Sequence, residues 1–119
     1  MIKEVVSVGL AVDERLRVRK NVLTPQFMTG KEKRICIVTG THGDELEGQY
    51  VCYEINRIIR ENPDFLKGIV EIYPALNPLG VDSISRGIPM FDLDMNRIFP
   101  GDENGAVAEH VAARIINDI

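Results

Sequence analysis

A chain of 119 residues, 45% hydrophobic and 27% charged, has the make-up of one folded domain and not of a disordered segment. Its net charge of −4 and pI near 5.2 provide no field that would draw in nucleic acid or an anionic membrane surface. No apolar run approaches the roughly 20 residues needed to span a bilayer, and Lys3 and Glu4 interrupt any amino-terminal leader, so a cytoplasmic protein is the default expectation.

In chain order, Val5 to Val12 and Leu16 to Val18 are β-branched and alternating, separated by Asp13-Glu14. This predicts an amino-terminal β-hairpin with Leu10, Val12, Leu16 and Val18 in one alternating set. Thr24-Pro25 and Gly30-Lys31 mark a loop. Ile35-Cys36-Ile37-Val38 is a continuous apolar run, which suits a strand covered on both faces in a parallel or mixed sheet. From about residue 45 to 60, Val51, Ile55, Ile58 and Ile59 fall on one helix face, and Asn62-Pro63 stops the helix. A second strand follows at Ile69–Tyr73, completing a βαβ unit whose crossover should be right-handed. Residues 75–105 carry several Gly and Pro and little periodicity, reading as a long loop of the kind that is most often functional. Val107, Val111 and Ile115 predict a final helix. Cys36 and Cys52 lie in apolar surroundings without CxxC spacing, so buried reduced thiols are expected.

Two stretches carry chemistry. The first is Thr39-Gly40-Thr41-His42-Gly43-Asp44-Glu45, where the strand gives way to the helix. Ligands of open α/β sheets gather at the carboxyl ends of strands. His42 and Glu45 are an imidazole and a carboxylate three residues apart, a ligand pair suited to zinc, which in hydrolases takes three protein ligands and leaves one position open. The same residues also read as a helix amino terminus with Asp44 and Glu45 favoured by the dipole. Gly43 and Gly48 have P-loop spacing, but Gln49 and Tyr50 stand where Lys and Ser/Thr are required. The second stretch holds Asn77-Pro78-Leu79-Gly80, Arg86, Asp92-Leu93-Asp94-Met95-Asn96-Arg97 and Phe99-Pro100-Gly101. Arginine forks grip carboxylates and an adjacent Asn can donate to the same oxygens. Pairing of Arg86 and Arg97 with Asp82, Asp92 or Asp94 on the surface is the alternative.

In this order, from about Lys33 to Gly101, the pieces resemble the succinylglutamate desuccinylase/aspartoacylase family of the zinc carboxypeptidase superfamily. The resemblance implies an α/β, three-layer, mixed-sheet zinc carboxypeptidase-like fold. This chain, one domain over residues 1–119, would hold its amino-terminal part. It implies Zn2+ as cofactor, His42 and Glu45 as metal ligands, Arg86 steadying the carbonyl oxygen under attack by water, and Asn96 and Arg97 gripping a substrate carboxylate. Substrates would be small-molecule N-acyl amino acids or a peptide C-terminus, cleaved at an amide. Met95 stands where Leu is common, a volume-conserving change.

The family's third zinc ligand, a later histidine, and its general base, a later glutamate, have no counterpart before Ile119. His110 reads as a helix-surface histidine, and Glu109 is poorly placed as a base. Little catalysis is therefore expected of the isolated chain, and a non-catalytic anion-binding or interaction module is the second reading. An uncovered sheet edge, with self-association through it, is a structural corollary.

Overall fold

The computed structural model describes residues 1–119. The amino-terminal alternation forms an antiparallel hairpin, longer than expected, of β1 (Ile2–Gly9) and β2 (Arg15–Leu23). Val12 and Asp13 both take φ of 59° in the turn, so Val12 sits at the tip, 92% exposed, and does not join the buried set. Leu16 and Val18 do face the core. Lys20 shares their side of the strand and is buried with them.

The βαβ unit is β3 (Arg34–Val38), α1 (Glu47–Glu61) and β4 (Ile69–Tyr73), with β3 and β4 parallel. Strand order is β1-β2-β4-β3 and β2 runs antiparallel to β4, which makes the sheet mixed. β3 therefore lies at an edge. The expectation that it is covered on both faces fails, since Ile35 is 59% and Val38 47% exposed. An apolar run suits a strand with neighbours and helices all round it, and β3 has a strand on one side only.

α1 ends where Asn62 caps it through Nδ2 to the Ile58 carbonyl (2.9 Å), and Pro63 cannot continue it. Its inward face is narrower than the expected stripe. Cys52, Ile55 and Ile59 pack on Leu23 and Ile72, whereas Val51 and Ile58 lie on one flank, about half exposed. On the opposite sheet face, α3 (Val107–Asp118) buries Val111 and Ile115 against Val6, Leu16, Val18 and Tyr73. Helix, sheet and helix make three layers. Both cysteines are free thiols, Cys52 buried and Cys36 only half-buried.

Under the end of α3 lies a buried ionic cluster. Lys20 Nζ is 3.1 Å from Glu71 Oε1 and 2.7 Å from Asp118 Oδ2. Arg34 Nε donates to Glu71 Oε2 (2.7 Å), and the Tyr73 hydroxyl donates to Asp118 Oδ2 (2.5 Å). The cluster ties three strands to the last turn of the helix.

Residues 75–105 are not structureless. They hold α2 (Pro78–Ser83), a bridge between Ile88 and Leu93, and a 3-10 turn at Met95–Arg97. Each is too short for periodicity to register. No helix is long and apolar enough to cross a membrane.

Candidate metal and anion site

The parallel ladder of β3 and β4 continues past both strand ends. Thr39 N–H donates to the Tyr73 carbonyl (3.0 Å), Leu76 N–H to the Thr39 carbonyl (3.1 Å) and Asn77 N–H to the Gly40 carbonyl (2.9 Å). The loop carrying His42 and the loop carrying Asn77 are thereby laid side by side at the carboxyl ends of the strands. Gly40, at φ +69°, makes this approach: a Cβ there would lie 2.7 Å from Ala75 Cα.

Two further anchors set Arg86. Gly43 N–H donates to the Ser85 carbonyl (2.8 Å), and a Cβ on Gly43 would fall 1.9 Å from the Gly80 carbonyl carbon, so only glycine lets the loop lie on α2. The buried Asn77 caps α2 with Oδ1 to Gly80 N–H (2.9 Å) and donates from Nδ2 to the Gly87 carbonyl (2.9 Å). Arg86 is held between residues tied on either side, Ser85 to the His42 loop and Gly87 to Asn77. The Asn77-Pro78-x-Gly80 motif, which reads as a turn in sequence, is a clamp across the site.

His42 is buried, with a carboxylate oxygen opposite each ring nitrogen. Nδ1 faces Glu45 Oε2 at 3.1 Å and Nε2 faces Asp94 Oδ1 at 2.9 Å. Asp94 first, then Glu45, raises the imidazole pKa above its ordinary value against the opposing effect of burial. His42 in turn lowers the Asp94 carboxyl. The exposed Arg86 guanidinium spans the same two acids, 3.8 Å from Glu45 Oε1 and 3.8 Å from Asp94 Oδ2. Asp94 also accepts from Asn96 N–H (2.9 Å) and so caps the 3-10 turn, which the fully buried Met95 pins to the core.

The structure thus brings His42, Glu45 and Arg86 together. Asn96 and Arg97 follow Asp94 on the same turn, exposed, and their side chains make no hydrogen bond or ion pair within the chain. Of the acids considered as surface partners for the arginines, Asp94 alone approaches Arg86, and Asp82 and Asp92 pair with neither. His110 is half-buried on α3, with Nδ1 2.9 Å from the Glu103 carbonyl, and Glu109 accepts from Ala106 N–H (3.0 Å) at that helix's start. Asp94 is the site residue that sequence reasoning missed. Its signal was its place two residues before Asn96, where the turn must be capped.

The donor set suits zinc. A 3.1 Å separation of Nδ1 and Oε2 is one that two ligands each about 2 Å from a single ion can take. The Nε2 contact to Asp94 is the carboxylate support that a ligating histidine ordinarily has. No group of three or more His, Cys, Asp or Glu side chains is arranged to hold a metal ion. His42 and Glu45 are therefore a pair and not a complete set.

Fold and site together define a three-layer α/β chain with a histidine–carboxylate pair and an arginine at the carboxyl ends of parallel strands. Residues 31–118 match the family model described as the succinylglutamate desuccinylase/aspartoacylase catalytic domain. The chain belongs to that family. Over 83 residues it is 32% identical to the N-alpha-acetyl-L-2,4-diaminobutyric acid deacetylase of Halomonas elongata, covering 70% of this chain and 24% of that protein. An aspartoacylase family protein from Mesorhizobium loti superposes with a TM-score of 0.78 at 27% identity, covering 98% of this chain and 35% of that one. A succinylglutamate desuccinylase/aspartoacylase from Rhodobacter sphaeroides gives 0.75 at 26%, covering 94% and 34%. The chain spans about a quarter to a third of the length of these relatives.

Proposed function

We propose that this chain carries the metal-and-anion half-site of a zinc-dependent amide hydrolase acting on an N-acyl amino acid or a peptide C-terminus. The observation that carries the reading is His42, seated between Glu45 and Asp94 with Arg86 across the same two carboxylates. His42 Nδ1 and Glu45 would hold the zinc, and Asp94, by accepting a hydrogen bond from Nε2–H, would keep the proton on Nε2 and the Nδ1 lone pair free for it. When bound, zinc lowers the pKa of a water to about 7 and polarises a carbonyl.

The remaining roles belong to the chain's own cations and donors. Arg86, held from both sides, would stabilise negative charge growing on the carbonyl oxygen of the scissile amide. Asn96 and Arg97 project from one turn and would grip the substrate carboxylate, Arg97 with a bidentate fork. With two protein ligands and no positioned base, the 119-residue chain alone should bind zinc weakly and turn over little. One observation favours a second reading, anion binding without turnover: the exposed Arg97 guanidinium has no acidic partner in the chain.

The test is calorimetric titration of zinc into metal-stripped protein. Wild type should take up one zinc per chain, His42→Ala none, and Asp94→Ala should bind about 10- to 100-fold more weakly. If wild type takes up no zinc, the hydrolase reading is lost. A succinate titration that responds to Arg97→Ala would then identify the anion-binding module.

A further inference from the structure

We propose that the cleft between the hairpin and α3 is a binding site for a phosphate group, separate from the site around His42. Arg15 and Arg17 alternate with the inward Leu16 and Val18, so they leave β2 on the sheet face away from α3. Arg15 stands opposite Gly9 on β1, and the missing side chain lets it cross that strand: its Nη1 lies 3.8 Å from where a Gly9 Cβ would stand. Past Gly9, Arg15 Nε donates to Ser7 Oγ (2.7 Å) and Nη2 to the Ser7 carbonyl (3.3 Å). From the other face of the sheet α3 supplies His110 and Arg114, neighbours on one side of the helix. These groups line one cleft of about 500 Å³.

The chain does not neutralise the charge gathered there. Arg15, Arg17 and Arg114 line the cleft against one carboxylate, Glu4, in a protein whose net charge is −4. Arg15 bonds only to neutral oxygens. Glu4 stands 3.8 Å from Arg17 and Glu103 3.8 Å from Arg114, both beyond hydrogen-bonding distance. Ser7 Oγ accepts from Arg15 and donates to no group of the chain, which leaves its own proton free. His110 Nδ1 is taken up by the Glu103 carbonyl, and Nε2 has no partner. Like charges brought together repel unless an anion sits among them. Unused donors on ionised groups are the ones that bind such an anion most strongly.

Geometry selects the ligand. A carboxylate is planar, presents both oxygens to one side, and is satisfied by a single arginine fork. Here the forks come from both faces of the sheet, with the Ser7 hydroxyl beside Arg15, and a tetrahedral anion has oxygens to meet each of them. Three arginines less Glu4 leave two positive charges, the match for a phosphate dianion. Every one of these groups belongs to the hairpin or to α3, and none bonds to His42, Glu45, Arg86 or Asp94.

Titration of inorganic phosphate into metal-free, isotope-labelled protein, followed by nuclear magnetic resonance, tests this. The Ser7, Arg15, His110 and Arg114 resonances should move together and saturate, with a dissociation constant of about 1 mM or below. Arg15→Ala and Arg114→Ala should each weaken binding about tenfold, and Arg15→Lys, which keeps the charge and loses the fork, should weaken it as well. Glu4→Gln removes the one repelling carboxylate and should tighten binding. Arg97→Ala should leave it unchanged, and succinate should bind in this cleft at least about tenfold more weakly than phosphate. Methyl phosphate binding as well as phosphate marks an ester as the ligand, and its rejection marks the free ion. Shifts that never saturate, or that potassium chloride reproduces at equal ionic strength, overturn the proposal. So does a phosphate response that Arg97→Ala abolishes and Arg15→Ala leaves intact. The substituted residues are exposed and make no bond to His42, so zinc uptake succeeds or fails independently.

Discussion

A methyl group at Gly43 would fall inside the backbone of Gly80 and Val81, so Gly43→Ala must push the His42–Glu45 loop off α2. The strain of forced separation between two backbones should cost about 2–3 kcal/mol in chemical denaturation. An unchanged midpoint would mean that the loop does not rest on that helix. Asn77 works at the same scale through two different atoms. Asn77→Asp keeps the oxygen that caps α2 but sets a second carboxylate oxygen against the Gly87 carbonyl in a buried place. It should destabilise by about 1–3 kcal/mol despite preserving the cap, and an Asp variant as stable as wild type would show that the Gly87 contact does not hold the Arg86 segment.

At the scale of elements, α1 separates apolar residues that stability needs from those it does not. Ile59 packs down on the sheet beside Cys52, and Ile58 beside it in sequence points along the flank. Ile58→Lys should shift stability by no more than about 0.5 kcal/mol. Ile59→Ala should cost about 1–2 kcal/mol, less than a fully buried isoleucine because the site is only partly enclosed. Equal losses from both would place the helix at a different rotation from the one described.

Across the whole molecule, the Lys20–Glu71–Asp118 cluster joins β2, β4 and the end of α3, and it makes stability depend on acid. Burial alone would raise both carboxyls. Hydrogen bonds from Arg34 and Lys20 to Glu71, and from Lys20 and Tyr73 to Asp118, outweigh it and hold both below their ordinary values. A folded-state pKa below the unfolded one means that the unfolded chain binds more protons in acid. The stability contributed is therefore present above about pH 4 and is lost as pH falls through the folded values. Urea midpoints should fall steeply below about pH 4. Glu71→Gln should be about 2–3 kcal/mol less stable at neutral pH, with a flatter decline in acid. A wild type whose midpoint stays level into strong acid would remove the cluster from the stability of the fold.

How legible all this is in the sequence follows from the range of the interactions involved. Patterns that repeat along the chain are local, and they determined the hairpin, the βαβ unit and the final helix. Spacing, and the family it resembles, marked out His42, Glu45, Arg86, Asn96 and Arg97, and the structure sets the first three within one small volume. Asp94 and Asn77 read as an ion-pair partner and a turn residue. Their bonds to His42 and Gly87 depend on chain folding back across 52 and 10 residues, which no local pattern encodes. Lys20 and Glu71 look like solvent-facing charges until the sheet is assembled. Only the register of β2 on β4 puts them on one face under α3, where each is paired. The exposure of β3 has the same origin: an apolar run specifies a strand and its wish for burial, but strand order alone decides which strand is left at the edge.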